Sequence, residues 1–434
     1  MTGHAMKVAI IGSGISGLSA AWCLRNAAAV TVFESRNRIG GHSCTLDLDY
    51  DGTPMSVDAG FIVYNAENYP NLIALFETLD VATQPADMSF AVSNPSGYEW
   101  SSNPAGLVAW KRNLLKPRYY RFLRTILRFN DTARAELASK TLHDPTLRAW
   151  LKRHRFNDDF VDNYIRPMGA AIWSTPQTEI LDFPALSFFN FFENHRLMHR
   201  ERPSWRTVSG GSWNYVGKLA ADLDGKLRTK SAVDKVERAG HGIVVTPKNG
   251  AAETFDQVIM ACHSDQAAAI LGSGFENRKE QLNAIRYRPN DIYVHRDARL
   301  MPKRKAAWAA WNVLNSAQDQ QTDVCLTYWM NVLQGLPADK PVFVTLNPPE
   351  PPEEEKTFTK LQFDHPQFDL AAESAVAQIK LENGKGGLWL AGAWMGSGFH
   401  EDGLKSGLEA GLSLGGSVPW QVQNITLRSV CQHA

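Results

Sequence analysis

The sequence predicts an α/β fold in which a nucleotide-binding βαβ lobe is interleaved with a second lobe of α+β character. Three observations carry this. A strand, a glycine turn and a helix open the chain and lead into a second strand. Strand-rich stretches return at 231–262 and 386–394. Between them lie two segments of another character: 66–206 is mostly helical, aromatic and basic, and 266–384 mixes strands with the acidic loop NPPEPPEEEK at 347–356. The chain therefore leaves one lobe and returns to it twice. The nucleotide lobe is expected over 1–65, 207–265 and 385–420, the substrate lobe over 66–206 and 266–384, and a tail over 421–434.

In order along the chain, VAII (Val8 to Ile11) has the unbroken apolar character of a strand buried on both faces. Ile15 to Asn26 is rich in small residues and reads as a helix, and Val30 to Phe33 as a second buried strand. The apolar run from Val8 to Leu24 is punctuated by glycines and falls short of the ~18 residues of a spanning helix. It is expected to be this strand and helix rather than a signal peptide or an anchor. Residues 231–262 alternate around turn signals and end in VIMAC, a meander followed by a strand returning to the sheet. Residues 386–394 supply a last short strand, and Gly403 to Leu414 a last helix.

With 434 residues, 44% of them hydrophobic and 21% charged, the chain can fill a large core divided between two lobes. Its formal net charge of zero provides no general basic field for nucleic acid, which is not expected as a partner. The five cysteines (Cys23, Cys44, Cys262, Cys325, Cys431) are scattered, which suits neither a disulfide framework nor a metal site. A reducing cytoplasm is the simplest compartment, and no metal is expected.

The opening turn, Gly12-Ser13-Gly14-Ile15-Ser16-Gly17, carries the first chemistry. Gly12 permits the tight turn, Gly14 lets backbone approach a pyrophosphate, and Gly17 lets helix and strand pack closely. The helix N-terminus offers N–H groups to the phosphate. Glu34, at the end of the second strand, is placed to accept hydrogen bonds from the adenosine ribose.

Next come Arg36-Asn37-Arg38-Ile39-Gly40-Gly41-His42 and Val57-Asp58-Ala59-Gly60. In these residues the sequence resembles the superfamily of amine oxidases, protoporphyrinogen oxidases and phytoene desaturases. The resemblance implies a Rossmann-like, GR2-type FAD-binding domain with an interleaved substrate domain, and FAD rather than NAD. It implies cofactor contacts from Gly12, Ser13, Gly14, Ile15, Ser16, Gly17, Glu34, Ser35, Arg36, Arg38, Gly40, Gly41, His42, Gly60, Phe61 and Val233. Arg38 would serve the phosphates or the adenosine side, unless it is simply solvated. His42 stands where relatives carry a further arginine.

A third motif, Gly392-Ala393-Trp394 followed by Gly396-Ser397-Gly398-Phe399-His400-Glu401-Asp402-Gly403, resembles the segment that faces the flavin in that superfamily. By that resemblance Gly392, Ala393, His400, Glu401, Asp402 and Gly403 also contact the cofactor, and a helix N-terminus there stabilises negative charge on reduced flavin. His400 and Glu401 are the candidate catalytic residues, exchanging protons near the flavin. The other reading is that these side chains cap the helix and hold the cofactor. Ala393 replaces a common acidic residue, and Phe399 stands about where amine oxidases place a tyrosine. No cysteine lies in this segment, so FAD is expected to be bound non-covalently.

Over the whole chain, MGAAIWSTP (168–176), FPALSFFNFFENHRL (183–197), WRTVSGGSWNYV (205–216), LMPKRKAAWAAWN (300–312), HPQFD (365–369) and GFHEDGLKSGL (398–408) resemble one subgroup. It comprises the FAD-dependent oxidoreductases encoded beside bacterial cyclopropane-fatty-acid synthases and is similar to the N-terminal domain of plant cyclopropane synthases. The resemblance implies a lipid or fatty acyl substrate, with desaturation or dehydrogenation by hydride transfer to flavin N5. It also suggests a cyclopropane-fatty-acid synthase-like methyltransferase as partner. Three alternatives stay open: an amine or porphyrinogen oxidase on a soluble substrate, a non-redox flavin isomerase, and a non-catalytic FAD-binding partner of the methyltransferase.

Two local features bear on the acyl reading. Residues 111–130 carry Lys111, Arg112, Lys116, Arg118, Arg121, Arg124 and Arg128 without an acid, interleaved with leucines and aromatics. Such a segment either rests peripherally on an anionic membrane or is a solvated helix face. Phe183, Phe188, Phe189, Phe191, Phe192, Trp173, Trp308 and Trp311 either line an acyl tunnel or fill the core.

Overall fold

The structure, a computed structural model, describes residues 5–94, 98–240, 242–315 and 324–428. Strand β1 (Lys7–Ile11) and strand β2 (Ala29–Phe33) flank helix α1 (Ile15–Leu24), which ends two residues earlier than its sequence pattern suggests. A hairpin of β3 (Thr45–Tyr50) and β4 (Thr53–Asp58) follows, then helix α2 (Pro70–Thr78). Among the helices of the next stretch are the long α3 (Pro117–Ser139) and the aromatic α4 (Ala185–Asn194). Helix α5 (Trp213–Asp222) leads to β5 (Leu227–Arg228) and β6 (Gln257–Met260). Strand β7 (Leu388–Leu390) and helix α6 (His400–Ser413) close the described architecture. Helix α6 starts at His400, three residues before the expected Gly403.

Strands β5, β2, β1, β6 and β7 lie in that order in one sheet, every neighbouring pair parallel. Its strands come from three widely separated parts of the chain. Parallel sheets survive only when both faces are covered, which is why these strands read as apolar runs without alternation. Helix α1 is buried along its whole length because the sheet lies on one side and α6 crosses the other. The crossing needs a bare backbone: a Cβ on Gly407 would stand 2.1 Å from the Ser16 carbonyl oxygen.

A second sheet of seven strands has the order 357–366, 287–295, 343–346, 325–329, 311–314, 90–94 and 98–101. The last two strands belong to the stretch expected to be mostly helical. The short run FAVSN is a strand because it pairs in parallel with 311–314, a partner more than 200 residues away. A three-stranded meander over 233–255 stands beside the nucleotide sheet, as its alternation predicts.

The start of the tail is anchored. Trp420 stacks on Trp22 at 5.7 Å, and the Gln423 N–H donates to Asn71 Oδ1 at 2.8 Å. Residues 429–434 of the expected tail, Cys431 among them, lie outside the described residues.

Candidate cofactor and active site

Ligands of open α/β sheets bind beyond the carboxyl ends of the strands. Here four such ends meet: β1 runs into Gly12, β2 into Glu34, β6 into Ala261 and β7 into Ala391. Gly12 has φ +108°, and a Cβ there would lie 2.6 Å from the Ala261 carbonyl oxygen. A Cβ on Gly17 would lie 1.9 Å from the Gly12 carbonyl oxygen. Gly14 differs, for no heavy atom stands within 4 Å of a Cβ built on it, and no side chain caps α1. An uncapped helix N-terminus beside open space fits a pyrophosphate, as the spacing of the motif predicts.

Glu34 is buried at the end of β2. Its Oε2 accepts from the Ser13 N–H at 3.1 Å and Ser13 Oγ at 2.5 Å, and its Oε1 from the Arg36 N–H at 2.9 Å and Ser35 Oγ at 3.3 Å. A carboxylate offers about four lone-pair directions and the four donors fill them, so the group is fixed beside the turn and a ribose hydroxyl would bind by taking the place of a serine hydroxyl, Ser13 Oγ or Ser35 Oγ. The Ser231 N–H donates to the Glu34 carbonyl at 2.8 Å, which brings Val233 to the same end.

The second glycine motif lies on the first. Gly40 donates its N–H to the Ser13 carbonyl at 2.9 Å, and a Cβ on Gly41 would stand 3.0 Å from Gly14 Cα. Arg38 ties this loop by donating to the Ser43 carbonyl at 3.2 Å, whereas Arg36 is exposed. Gly60 passes against His42, whose carbonyl accepts the Phe61 N–H at 2.8 Å.

A set of imidazoles stands beside this turn, only one of which sequence reasoning had singled out. The ring of His42 lies 6.0 Å from His263 and 5.7 Å from His365. His263 follows the end of β6 and stacks on Tyr287 at 4.5 Å. Burial, reinforced by the neighbouring imidazoles, holds His42 well below the usual histidine range. Burial likewise lowers His263, and His365 to about 4. His42 Nε2 and His263 Nδ1 have no hydrogen-bond partner among the described residues, although both atoms are buried. Orphaned donors or acceptors at the end of a nucleotide sheet are what a cofactor's polar middle would satisfy. The signal for His263 was its position just past a buried strand; His365, which belongs to HPQFD, carries no local one.

At the far end, the Gly392 N–H donates to Ser406 Oγ at 2.9 Å, and Trp394 Nε1 donates to the Cys262 carbonyl at 3.1 Å. Ala393 follows in the turn, and Gly403 packs on Ile15 of α1. Asp402 accepts the N–H groups of Ser397 (2.9 Å) and Phe399 (3.1 Å) and so caps its own helix. Glu401 caps another helix: it accepts from the Asn71 N–H (3.0 Å), Asn71 Nδ2 (2.7 Å) and the Leu72 N–H (3.0 Å) at the start of α2. Burial raises the pKa of both acids, against the pull of these donors.

His400 is stacked face to face on Phe61 at 3.8 Å, and its Nε2 is 2.7 Å from the Tyr215 hydroxyl. Tyr215 also hydrogen-bonds Ser43. Burial lowers the His400 pKa to about 3, so its ring is neutral near pH 7. Of the candidate catalytic pair, Glu401 has both oxygens engaged by a helix terminus and His400 holds a phenol. Glu401 thus caps a helix other than its own, and His400 is tied to protein groups.

Phe399 stacks on Phe191 at 4.8 Å, and Phe191 lies 4.9 Å from Trp173. Phe188, Phe189 and Phe192 are fully buried in the helical core around Phe129. Phe183 joins Trp173 in that core, whereas Trp308 and Trp311 belong to the seven-stranded sheet region. Of the aromatics expected to line a tunnel, Phe191 is the one stacked directly on Phe399, at the head of α6.

Residues 15–300 match the family model of the flavin-containing amine oxidoreductases. A protein of Mycobacterium tuberculosis, provisionally described as flavin-containing monoamine oxidase AofH, is 24% identical over 57% of this chain. The match spans 55% of that relative, about half its length. Cyclohexylamine oxidase from Brevibacterium oxydans IH-35A superposes with a TM-score of 0.66 at 16% identity, covering 95% of this chain and 99% of that one. The CLA-producing fatty acid isomerase from P. acnes superposes with a TM-score of 0.63 at 12% identity, covering 93% and 97%.

Proposed function

Because the chain belongs to the flavin-containing amine oxidoreductase family, we propose that it is a FAD-dependent oxidoreductase acting on an uncharged apolar chain. The substrate class is a fatty acyl chain, unsaturated, methylated or cyclopropane-modified, free or in phospholipid. One observation carries this reading: the head of α6 presents Phe399 and Phe191 beside a neutral imidazole, while Glu401 and Asp402 are consumed by N–H groups. An ammonium substrate needs a carboxylate or an open aromatic cage to offset its lost hydration.

FAD, held without a covalent link, supplies the hydride acceptor at its N5 atom. The residues of this chain bind and orient. The N-terminus of α1 would receive the pyrophosphate, Glu34 the ribose, and His42 and His263 the polar middle. With FAD bound, the N-terminus of α6 would offer the positive end of its dipole and favour negative charge on the ring. His400, locked by Phe61 and Tyr215, positions rather than exchanges protons, and the phenylalanines exclude water from the reacting carbon.

The reading is tested by mixing anaerobic, FAD-loaded protein with detergent-dispersed acyl lipids. Bleaching of the visible flavin band and a new double bond in the recovered lipid are expected, with no bleaching by polyamines. Bleaching by amines alone would replace this reading with amine oxidation, which the likeness to AofH favours. Double-bond migration without any acceptor would select an isomerase, the activity named for the fatty acid isomerase of the same fold. A methyltransferase of the cyclopropane-fatty-acid synthase type is the proposed partner, and co-purification checks it.

A further inference from the structure

The helix that walls the aromatic core has a second face, and its chemistry is different. Tyr119, Phe122 and Phe129 of α3 point inward, into the cluster whose edge includes Phe399. The opposite side of the same helix, with the turn Lys111–Leu115 before it, is open to solvent. Leu115 there is 85% exposed and Leu127 55%, and Leu114 and Tyr120 are exposed too. Leu114, Leu115 and Tyr120 are grouped rather than scattered: with Pro117, Arg121 and Arg124 they line one open hollow of about 420 Å³. The Tyr120 hydroxyl donates to the Leu114 carbonyl at 2.9 Å and fixes the turn against the helix.

The charged residues that line the hollow, Arg121 and Arg124, have one sign. Between 111 and 130 there are seven basic residues and no acid. Arg118 is paired with Asp159, and Arg128 lies over the ring of Phe156 at 4.1 Å. Lys111, Arg112, Arg121 and Arg124 are exposed and form no ion pair among the described residues. The turn Lys305–Ala307 packs on the short helix Pro104–Leu107 just before this segment and adds exposed Lys303 and Lys305. A basic rim around protruding leucines and a tyrosine complements a surface that is anionic outside and apolar just beneath. No helix among the described residues is long and apolar enough to cross a membrane, so such contact would be made from one side.

We infer that the face formed by 111–127 docks on an anionic phospholipid bilayer, with Arg121 and Arg124 on lipid phosphates and Leu114 and Leu115 inserted among the first acyl carbons. The inference stands apart from the acyl-substrate reading, since binding is measured without turnover. If both hold, α3 is the wall between the bilayer and the head of α6.

The test is sedimentation of FAD-loaded, full-length protein with vesicles of phosphatidylglycerol and phosphatidylcholine, and with vesicles of phosphatidylcholine alone. Binding is expected to the first and not the second, and to weaken as salt is raised. Arg121→Glu with Arg124→Glu, and separately Leu114→Ser with Leu115→Ser, should each weaken it at least tenfold, with the flavin spectrum and thermal midpoint unchanged. No binding of the parent protein to phosphatidylglycerol vesicles overturns the proposal. So does undiminished binding of the leucine variant, which would mark a site for a soluble polyanion or an acidic protein instead.

Discussion

The two ends of the cofactor site are built on different principles. At the proposed adenosine end, Gly12 to Glu34 fall within one βαβ unit, and the partners of the Glu34 carboxylate (Ser13, Ser35, Arg36) are at most 21 residues away. At the flavin end, His400 reaches Phe61 and Tyr215, and Glu401 reaches Asn71 and Leu72, all more than 180 residues distant. Local backbone geometry sets the glycine turn and the Glu34 carboxylate, whereas the head of α6 depends on the way three distant segments pack. Disturbing the first should cost cofactor directly, and disturbing the second should cost stability or positioning while the nucleotide end survives.

The largest expected effect comes from acid. His42, His263, His365 and His400 are buried and held below the usual histidine range, so as pH falls through 6.5 the unfolded chain binds protons that the native chain refuses, down to about 4 for His365. This contribution is complete well above pH 6.5 and is lost as pH falls through it, each imidazole approaching roughly 1.4 kcal/mol per pH unit below it. Asp58, raised by burial to about 6, together with Glu401 and Asp402, has the opposite sign and offsets part of this. Urea midpoints at pH 7.5, 6.5 and 5.5 should therefore decline, and a flat or rising series would contradict the buried imidazole cluster.

Gly17→Val should come next. It forces a side chain onto the Gly12 carbonyl at a cost of roughly 3 kcal/mol or more. The soluble fraction should purify without flavin, read from the ratio of visible to ultraviolet absorbance. Glu401→Ala should cost about 2 kcal/mol, because it strips the acceptor from two buried N–H groups at the start of α2. Thermal unfolding should show the loss while flavin content at low temperature stays near that of the parent; simultaneous loss of flavin would merge the two ends into one unit. Smallest is Tyr215→Phe, which removes the hydroxyl from His400 and Ser43 for about 1 kcal/mol. It should alter the rate of flavin reduction more than flavin retention.

Much of this was legible beforehand where one short segment carries the whole instruction. Gly12, Gly14, Gly17 and Glu34 stand in the positions that motif spacing assigns them, and the apolar runs at 8–11, 30–33 and 257–260 are adjacent parallel strands. The strand at 90–94 was not legible, since its pairing partner lies at 311–314 and nothing within FAVSN distinguishes it from a short helical piece. Nor was the pairing of His400 with Tyr215, although both sit in conspicuous motifs, because hydrogen bonds across 185 residues leave no periodic trace.

Sequence alone thus determined the nucleotide fingerprint and the family likeness, because glycine sterics and apolar runs act over a few neighbouring residues. Only tertiary structure decided the state of the acids and imidazoles. Whether a carboxylate is free or caps a helix, and whether a histidine can take a proton, depends on burial and on partners supplied by distant segments. Glu401 is the clearest case: its place in the motif suggested chemistry, and its contacts with Asn71 and Leu72 give it a helix to hold.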